Sequence, residues 1–199
     1  MRRILPVGND QGLERNVVCI LMGRGEMHMS VSNAEHGLQV KLLTTEADAL
    51  RVSEFFLSEL SFDDTNHTPG EREHFQKAPR DSLVQRNHFH WFVENEEGDI
   101  IAATSCRENE HQTGGYLWDY LAVHRAYRKL GIAARLYETL EQHVAQAGAR
   151  FILTYTCSLP EYGPIQNMFR QRGFELIGTY PDYYYDGENR LAYCKKLNN

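Results

Sequence analysis

The chain has 199 residues, 42% of them hydrophobic and 24% charged, which is ordinary for a folded globular domain and enough for one sizeable core. A net charge of −6 and a pI near 5.8 argue against nonspecific nucleic-acid binding and mildly favour a cationic amine. The four cysteines (Cys19, Cys106, Cys157, Cys194) have neither CxxC nor metal-ligand spacing, and no apolar run approaches the ~18 residues of a membrane span, so we expect reduced thiols, no metal, no membrane partner and a cytoplasmic setting.

Residues 1–36 carry little periodicity and hold Met22, Met27 and Met29. They form an N-terminal arm or extension, or the natural start is Met27 or Met29; both readings stay open. The apolar run Val17–Met22 is short and lacks a small-residue cleavage site, so no signal peptide is expected. The domain proper is expected over 37–199. Gly37 to Leu43 alternates as a first strand. Thr45 with Asp48 gives a capping signal, and Ala49, Val52, Phe56 and Leu60 form a stripe that predicts a helix over 45–60. Ser61 to Arg86 is polar, with Pro69 and Pro79 as breakers and room for one or two short helices.

Strands are expected at His88–Glu94 and Ile100–Arg107, joined across Asn95-Glu96-Glu97-Gly98-Asp99. His88 and His90 alternate with Phe89 and should share one face, as packing or surface residues. Gly115–Val123 is a further strand, followed by a helix over 131–147 whose Ala133, Leu136, Leu140, Val144 and Ala147 recur at helical spacing. Gly148 suits its stop. Then come a strand at Phe151–Cys157, a helix at Ile165–Arg172, and a closing hairpin of Phe174–Tyr180 with Arg190–Lys196. The mixture implies an α/β (α+β) fold with a mixed sheet.

The most informative segment is Tyr120 to Leu140. A short apolar strand runs into Arg128-Lys129-Leu130-Gly131-Ile132-Ala133, and a helix follows at once. Backbone N–H groups of a tight turn and of a helix's first turn converge there, which makes an anion cradle. Gly131 allows close approach of a ligand to the backbone, and Arg128 and Lys129 add positive charge. The turn is expected to bind a pyrophosphate.

Arg-x-x-Gly-x-Ala after a strand ending in Leu121-Ala122-Val123 resembles the acetyl-CoA loop of the GCN5-related N-acetyltransferases (GNAT). The downstream segment Met168-Phe169-Arg170-Gln171-Arg172-Gly173-Phe174 resembles that family's last helix, which usually ends Tyr-x-x-x-Gly-Phe. The resemblance covers roughly residues 38–199. It implies a central sheet of about seven strands with about four helices, and acetyl-CoA as co-substrate. It implies cofactor contacts by Leu121, Ala122, Val123, Arg128, Lys129, Leu130, Gly131, Ile132, Ala133 and Ala134. A splay between the fourth and fifth strands would admit the pantetheine arm, with Phe151–Cys157 on the opposite wall.

Acetyl transfer to an amine needs a base for the amine's proton and a donor for the thioester oxygen. Asp119 is the leading base candidate. Strand period places Asp119, Leu121 and Val123 on one face, and Trp118 and Tyr120 beside the acid could raise its pKa by desolvation. A structural acid bonded to backbone is the alternative. Glu161, in the loop after the fifth strand, is the second candidate. The family's acid slot, a Tyr, is Phe169 here and has no proton to give. Tyr162, Tyr155, Tyr183 and Tyr184 are replacements to consider, and a thiolate can also leave without a strong acid.

Tyr183-Tyr184-Tyr185-Asp186-Gly187-Glu188-Asn189 resembles the Tyr-Tyr-x-Asp-Gly-Glu-Asp hairpin of protein N-terminal acetyltransferases, with Asn189 in place of the last Asp. By that resemblance Tyr183 and Tyr184 would hold a peptide backbone; a turn with aromatic packing is the alternative. Asp63, Asp64, Glu71 and Glu73 could draw in a polyamine, an aminoglycoside-like compound or another small cation, or form a solvated face. Three functions follow. The first is acetylation of a small cationic or amino-acid-like amine. The second is peptide or protein N-terminal acetylation. The third is an acetyl-CoA-binding sensor without catalysis. Homodimers are common in the family.

Overall fold

The computed structural model describes residues 38–62 and 67–197. The expected arm over 1–36, Cys19, Asp63 and Asp64 lie outside the described residues. The remaining cysteines, Cys106, Cys157 and Cys194, are free thiols.

Seven strands form one mixed sheet. They are β1 (Val40–Leu42), β2 (His88–Glu94), β3 (Ile100–Glu108), β4 (Gly115–Val123), β5 (Phe151–Cys157), β6 (Glu175–Tyr185) and β7 (Glu188–Lys196). Their order in space is β1-β2-β3-β4-β5-β7-β6, and every neighbouring pair is antiparallel except β4 and β5. Helices α1 (Glu46–Leu57) and α2 (Pro69–Asp81) cover one face, and α3 (Ile132–Gln146) and α4 (Gly163–Gln171) cover the other.

The helix ends follow from local chemistry. Thr45 Oγ1 accepts the Asp48 N–H at 3.1 Å and caps α1 as its spacing predicts. The helix stops at Leu57, short of residue 60, because the Ser58 hydroxyl donates to the Phe55 carbonyl at 2.8 Å in place of the next turn's amide. Between 67 and 86 there is one helix. Thr68 and Glu71 form a reciprocal capping box and Pro69 occupies the first turn, so this proline starts the helix instead of breaking it. Pro79 sits inside the last turn of α2, where the helix is about to end anyway.

Two apolar layers result. Trp118, Leu121, Leu136, Tyr137, Leu140, Val144, Phe169 and Phe174 pack between the sheet and α3/α4. Phe56, Phe62, Phe75, Tyr120 and Ala122 pack under α1/α2. The two layers meet at an unexpected break in β4. Trp118 and Leu121 face the same layer although they are three residues apart. Thr104 pairs with Leu121 and Cys106 with Trp118, so Asp119 and Tyr120 together stand opposite the single residue Ser105. This one-residue bulge shifts the strand's phase. The expectation that Asp119 shares a face with Leu121 and Val123 is therefore corrected: Asp119 lies on the α1/α2 side, within 4.0 Å of His74 on α2. His88 and His90 share that side and are buried.

The strands β4 and β5 pair only over Gly115–Leu117 and Phe151–Leu153, and beyond that they part. A side-chain bond from Thr154 Oγ1 to the Trp118 carbonyl, 3.2 Å, marks the fork. β6 runs to Tyr185, five residues further than its sequence pattern predicts, through a wide bulge between Tyr180 and Tyr185.

Candidate active site

At the open end of the fork the chain leaves β4, makes a 3-10 turn over Arg125–Tyr127 and enters α3. Lys129 and Gly131 have positive φ, 66° and 77°. These two left-handed residues fold the loop so that α3 starts at Ile132 with no side-chain cap on Gly131. The helix therefore presents its first-turn N–H groups, and its positive dipole end, to whatever lies in front of it. A Cβ on Gly131 would meet nothing within 4 Å. Glycine is required here by φ, and the space before it is open.

That space is a cleft of about 260 Å³. Leu121, Ala122, Val123, Arg128, Lys129, Gly131, Ile132, Ala133 and Ala134 all line it, as their positions in the motif imply. Leu130 does not; it is half exposed on the outer side of the turn. The opposite wall comes from Met168 and Arg172 of α4, with Tyr127 and Ser61 at the rim, and no β5 residue lines the cleft. Arg172 is the addition of most chemical interest. Its guanidinium stacks 4.5 Å from the Tyr137 ring centre, and it pairs with Glu138 at 3.6 Å. Its place in the sequence signalled a helix end and nothing about a cleft.

Arg128 has a different job from the one its charge suggests. Its Nε donates to the Val123 carbonyl at 3.0 Å and its Nη2 to the Ser61 carbonyl at 3.2 Å. The side chain ties the end of β4 and the segment after α1 to the loop, while its charge stays at the cleft wall. Phe169, in the family's Tyr slot, is fully buried against Trp118, Phe174 and Tyr193.

On the other side of the sheet the β4 bulge presents Asp119 to a polar cluster. Asp119 is fully buried and its carboxylate pairs with Arg107 Nε at 3.3 Å. His74 Nε2 lies 4.0 Å from the same carboxylate oxygen, and its ring is 5.1 Å from that of Tyr120. Burial first, and then the Arg107 charge, push the His74 pKa down to about 4, so its ring is neutral at physiological pH. His90 is pushed well below its ordinary value by burial, with His88 and His74 adding to the effect. His90 pairs in register with Ser105, and both are buried.

Across the fork, Tyr155 of β5 carries the Arg190 guanidinium 3.4 Å above its ring. Arg190 Nη1 donates to the Tyr183 hydroxyl at 2.7 Å. Burial raises the Tyr155 pKa, with Arg190 opposing and Asp119 among the groups that add to the rise. The bulge in β6 brings Tyr183 to Arg190, with Tyr184 packed edge-on at 5.1 Å. Asp182, at φ 50°, donates its N–H to Asn189 Oδ1 at 2.9 Å and accepts the Gly187 N–H at 2.8 Å. Glu161 is exposed on the 3-10 turn before α4, and Tyr162 is half-buried against the α3/α4 core. The acids of α2 are used locally: Glu71 in the capping box and Glu73 on Lys77. Among the described residues no group of three or more His, Cys, Asp or Glu could hold a metal, and no helix is long and apolar enough to cross a membrane.

The family described as "Acetyltransferase (GNAT) family" matches residues 52–174. The fold is similar to that of a GNAT-family protein from Desulfovibrio desulfuricans, with a TM-score of 0.67 and 18% identity over 80% of this chain and 99% of that one. It is also similar to the ribosomal-protein-S18-alanine N-acetyltransferase from Escherichia coli (TM-score 0.63, 12% identity, 81% of this chain and 96% of that one). A third likeness is to a protein assigned as a streptothricin acetyltransferase from Bacillus anthracis, solved in complex with acetyl coenzyme A. There the TM-score is 0.53 and the identity 16%, over 60% of this chain and 68% of that one.

Proposed function

The chain belongs to the acetyltransferase (GNAT) family, and from that premise we propose that it is an acetyl-CoA-dependent N-acetyltransferase that modifies the primary amine of a small cationic or amino-acid-like substrate by direct attack. The observation that carries this is the uncapped start of α3 behind two left-handed residues, facing a cleft between β4 and α4. Phosphate oxygens fit such a cradle because the backbone donors are fixed before the ligand arrives. The apolar stretch Leu121–Val123, with Met168 across from it, suits a pantetheine arm.

The acceptor would come from the α1/α2 side, where Asp119, Arg107, His74, Tyr155 and Arg190 gather. A carboxylate there draws in an ammonium group, and two arginines offset it, which favours an acceptor carrying its own acid group over a polyamine. A second reading is peptide or protein N-terminal acetylation. The β6–β7 hairpin favours it, because its bulge sets Tyr183 beside Arg190 with Tyr184 packed on Tyr183, and a fold neighbour is named for the S18 alanine. A sensor without catalysis is the third, motivated by the missing hydroxyl at Phe169. A cytoplasmic setting, with no nucleic-acid or membrane partner, belongs to the same proposal, and a homodimer is compatible with it.

The test is incubation with acetyl-CoA and a panel of amino acids, polyamines, aminoglycosides and short peptides, with thiol release as the readout. Release with amino acids supports the first reading and release with peptides the second. Tight acetyl-CoA binding with no release for any amine favours the sensor.

A further inference from the structure

We propose that His74, on α2, is the catalytic base for the acceptor amine and that Asp119 positions it. This rests on the transferase reading above. Three observations lead to it. His74 Nε2 is a buried nitrogen with no hydrogen-bond partner, aimed at the Asp119 carboxylate 4.0 Å away. A buried polar atom left without a partner carries a cost, and such atoms gather where a ligand or a proton is handled. His74 keeps 12% of its side-chain surface, although its Nε2 is itself buried, and Asp119 keeps none, so the imidazole is the outer member of the pair. Asp119 already holds Arg107 at 3.3 Å, an arrangement that stabilises its charge and suits it to orienting a partner.

The groups facing His74 come from three strands: Arg107 on β3, Asp119 and Tyr120 on β4, and His90 on β2, whose ring lies 5.1 Å from that of His88. Of these Arg107 opposes a charge on the ring and Asp119 favours it, while burial holds His90 well below its ordinary value. An imidazole in this setting is unprotonated and ready to accept. The amine lone pair forms the C–N bond at the thioester carbonyl carbon. The nitrogen gives one proton to the His74 imidazole, and the C–S bond breaks with its electron pair on sulfur. The imidazolium then releases that proton to the thiolate, through solvent, and the balance closes without a tyrosine at position 169.

The experiment uses the full chain and an amine found active in the panel. His74→Ala is expected to lower kcat/KM roughly 100-fold, with acetyl-CoA affinity unchanged, and added imidazole restores part of the rate. His74→Gln, which keeps volume and polarity, stands in should the alanine variant not fold, and it should be equally slow. Independently of turnover, the His74 ring titration followed by NMR should move to lower pH in Asp119→Asn, because a neighbouring carboxylate favours the imidazolium. Unchanged kcat/KM in both His74 variants overturns the assignment. So does a titration indifferent to Asp119→Asn, and so does a slow His74→Ala that imidazole does not rescue. Wild-type protein that releases no thiol with any amine fails the transferase reading itself, which is a different result from an active wild type with an active His74 variant.

Discussion

Arg128 Nε donates to the carbonyl of Val123, the last residue of β4, at 3.0 Å, and the same guanidinium reaches the Ser61 carbonyl at 3.2 Å. The loop that lines the cleft is thereby fastened to both the strand before it and the segment after α1. Charge-assisted bonds of this kind are worth about 2 kcal/mol. Arg128→Ala is expected to lower Tm by several degrees and to weaken acetyl-CoA binding about tenfold by isothermal calorimetry, the fold-equivalent of about 1.4 kcal/mol. Arg128→Lys should not restore it, since one ammonium lacks the planar fork that spans two carbonyls.

Acid lability follows from the buried histidines. The pKa of His74 falls from 6.5 to about 4 on folding, and that of His90 is lowered well below 6.5. Between those values the unfolded chain binds a proton that the folded protein does not, so stability is full above pH 6.5 and is lost as pH falls towards 4. The His74 shift alone corresponds to about 3 kcal/mol. Thermal unfolding between pH 7.5 and pH 5 should show a falling Tm, and His74→Gln should flatten that fall. A Tm constant over this range contradicts the burial of both rings.

Asn189 is expected to matter to the acceptor and not to the cofactor. Its Oδ1 accepts the Asp182 N–H, and its own N–H donates to Ser158 Oγ at 3.1 Å. Asn189→Ala removes the first of these and frees the bulge that presents Tyr183 and Tyr184. Steady-state kinetics should show a several-fold rise in acceptor KM with acetyl-CoA KM unchanged. Asn189→Asp should behave as the wild type, because a carboxylate oxygen can accept the same bond.

That last point explains how a departure from a family pattern can be conservative, and it bears on what was legible in the sequence. Thr45, the helical stripe of α3 and Gly131 were readable because each acts through its immediate neighbours: a cap, a period, a left-handed φ. The cleft followed from them, and nine of its residues are those the motif implies. The side on which Asp119 lies was not readable. A bulge is settled by register against β3, and strict alternation gives no sign of it. His74 was hidden for the same reason. It sits in a polar helix, and its proximity to Asp119 exists only once α2 packs over the bulge. Arg172 escaped notice because its cleft wall is formed by α4 meeting the loop after β4, two segments about forty residues apart in the chain.

The bulge at Asp119 and Tyr120 has a consequence for how the protein can diversify. It sets two successive residues, Asp119 and Tyr120, on the α1/α2 side, between Trp118 and Leu121, which both face the α3/α4 layer. Leu121 and Val123 are tied to the cradle and the α3/α4 core, whereas Asp119, Tyr120 and Ala122 face the α1/α2 side. A change of side chain at 119, 74 or 107 is therefore expected to be felt first on the α1/α2 side, and a change at 121 or 123 first on the cradle side. The strand behaves as a hinge between two inheritable modules, one held constant and the other open to trial.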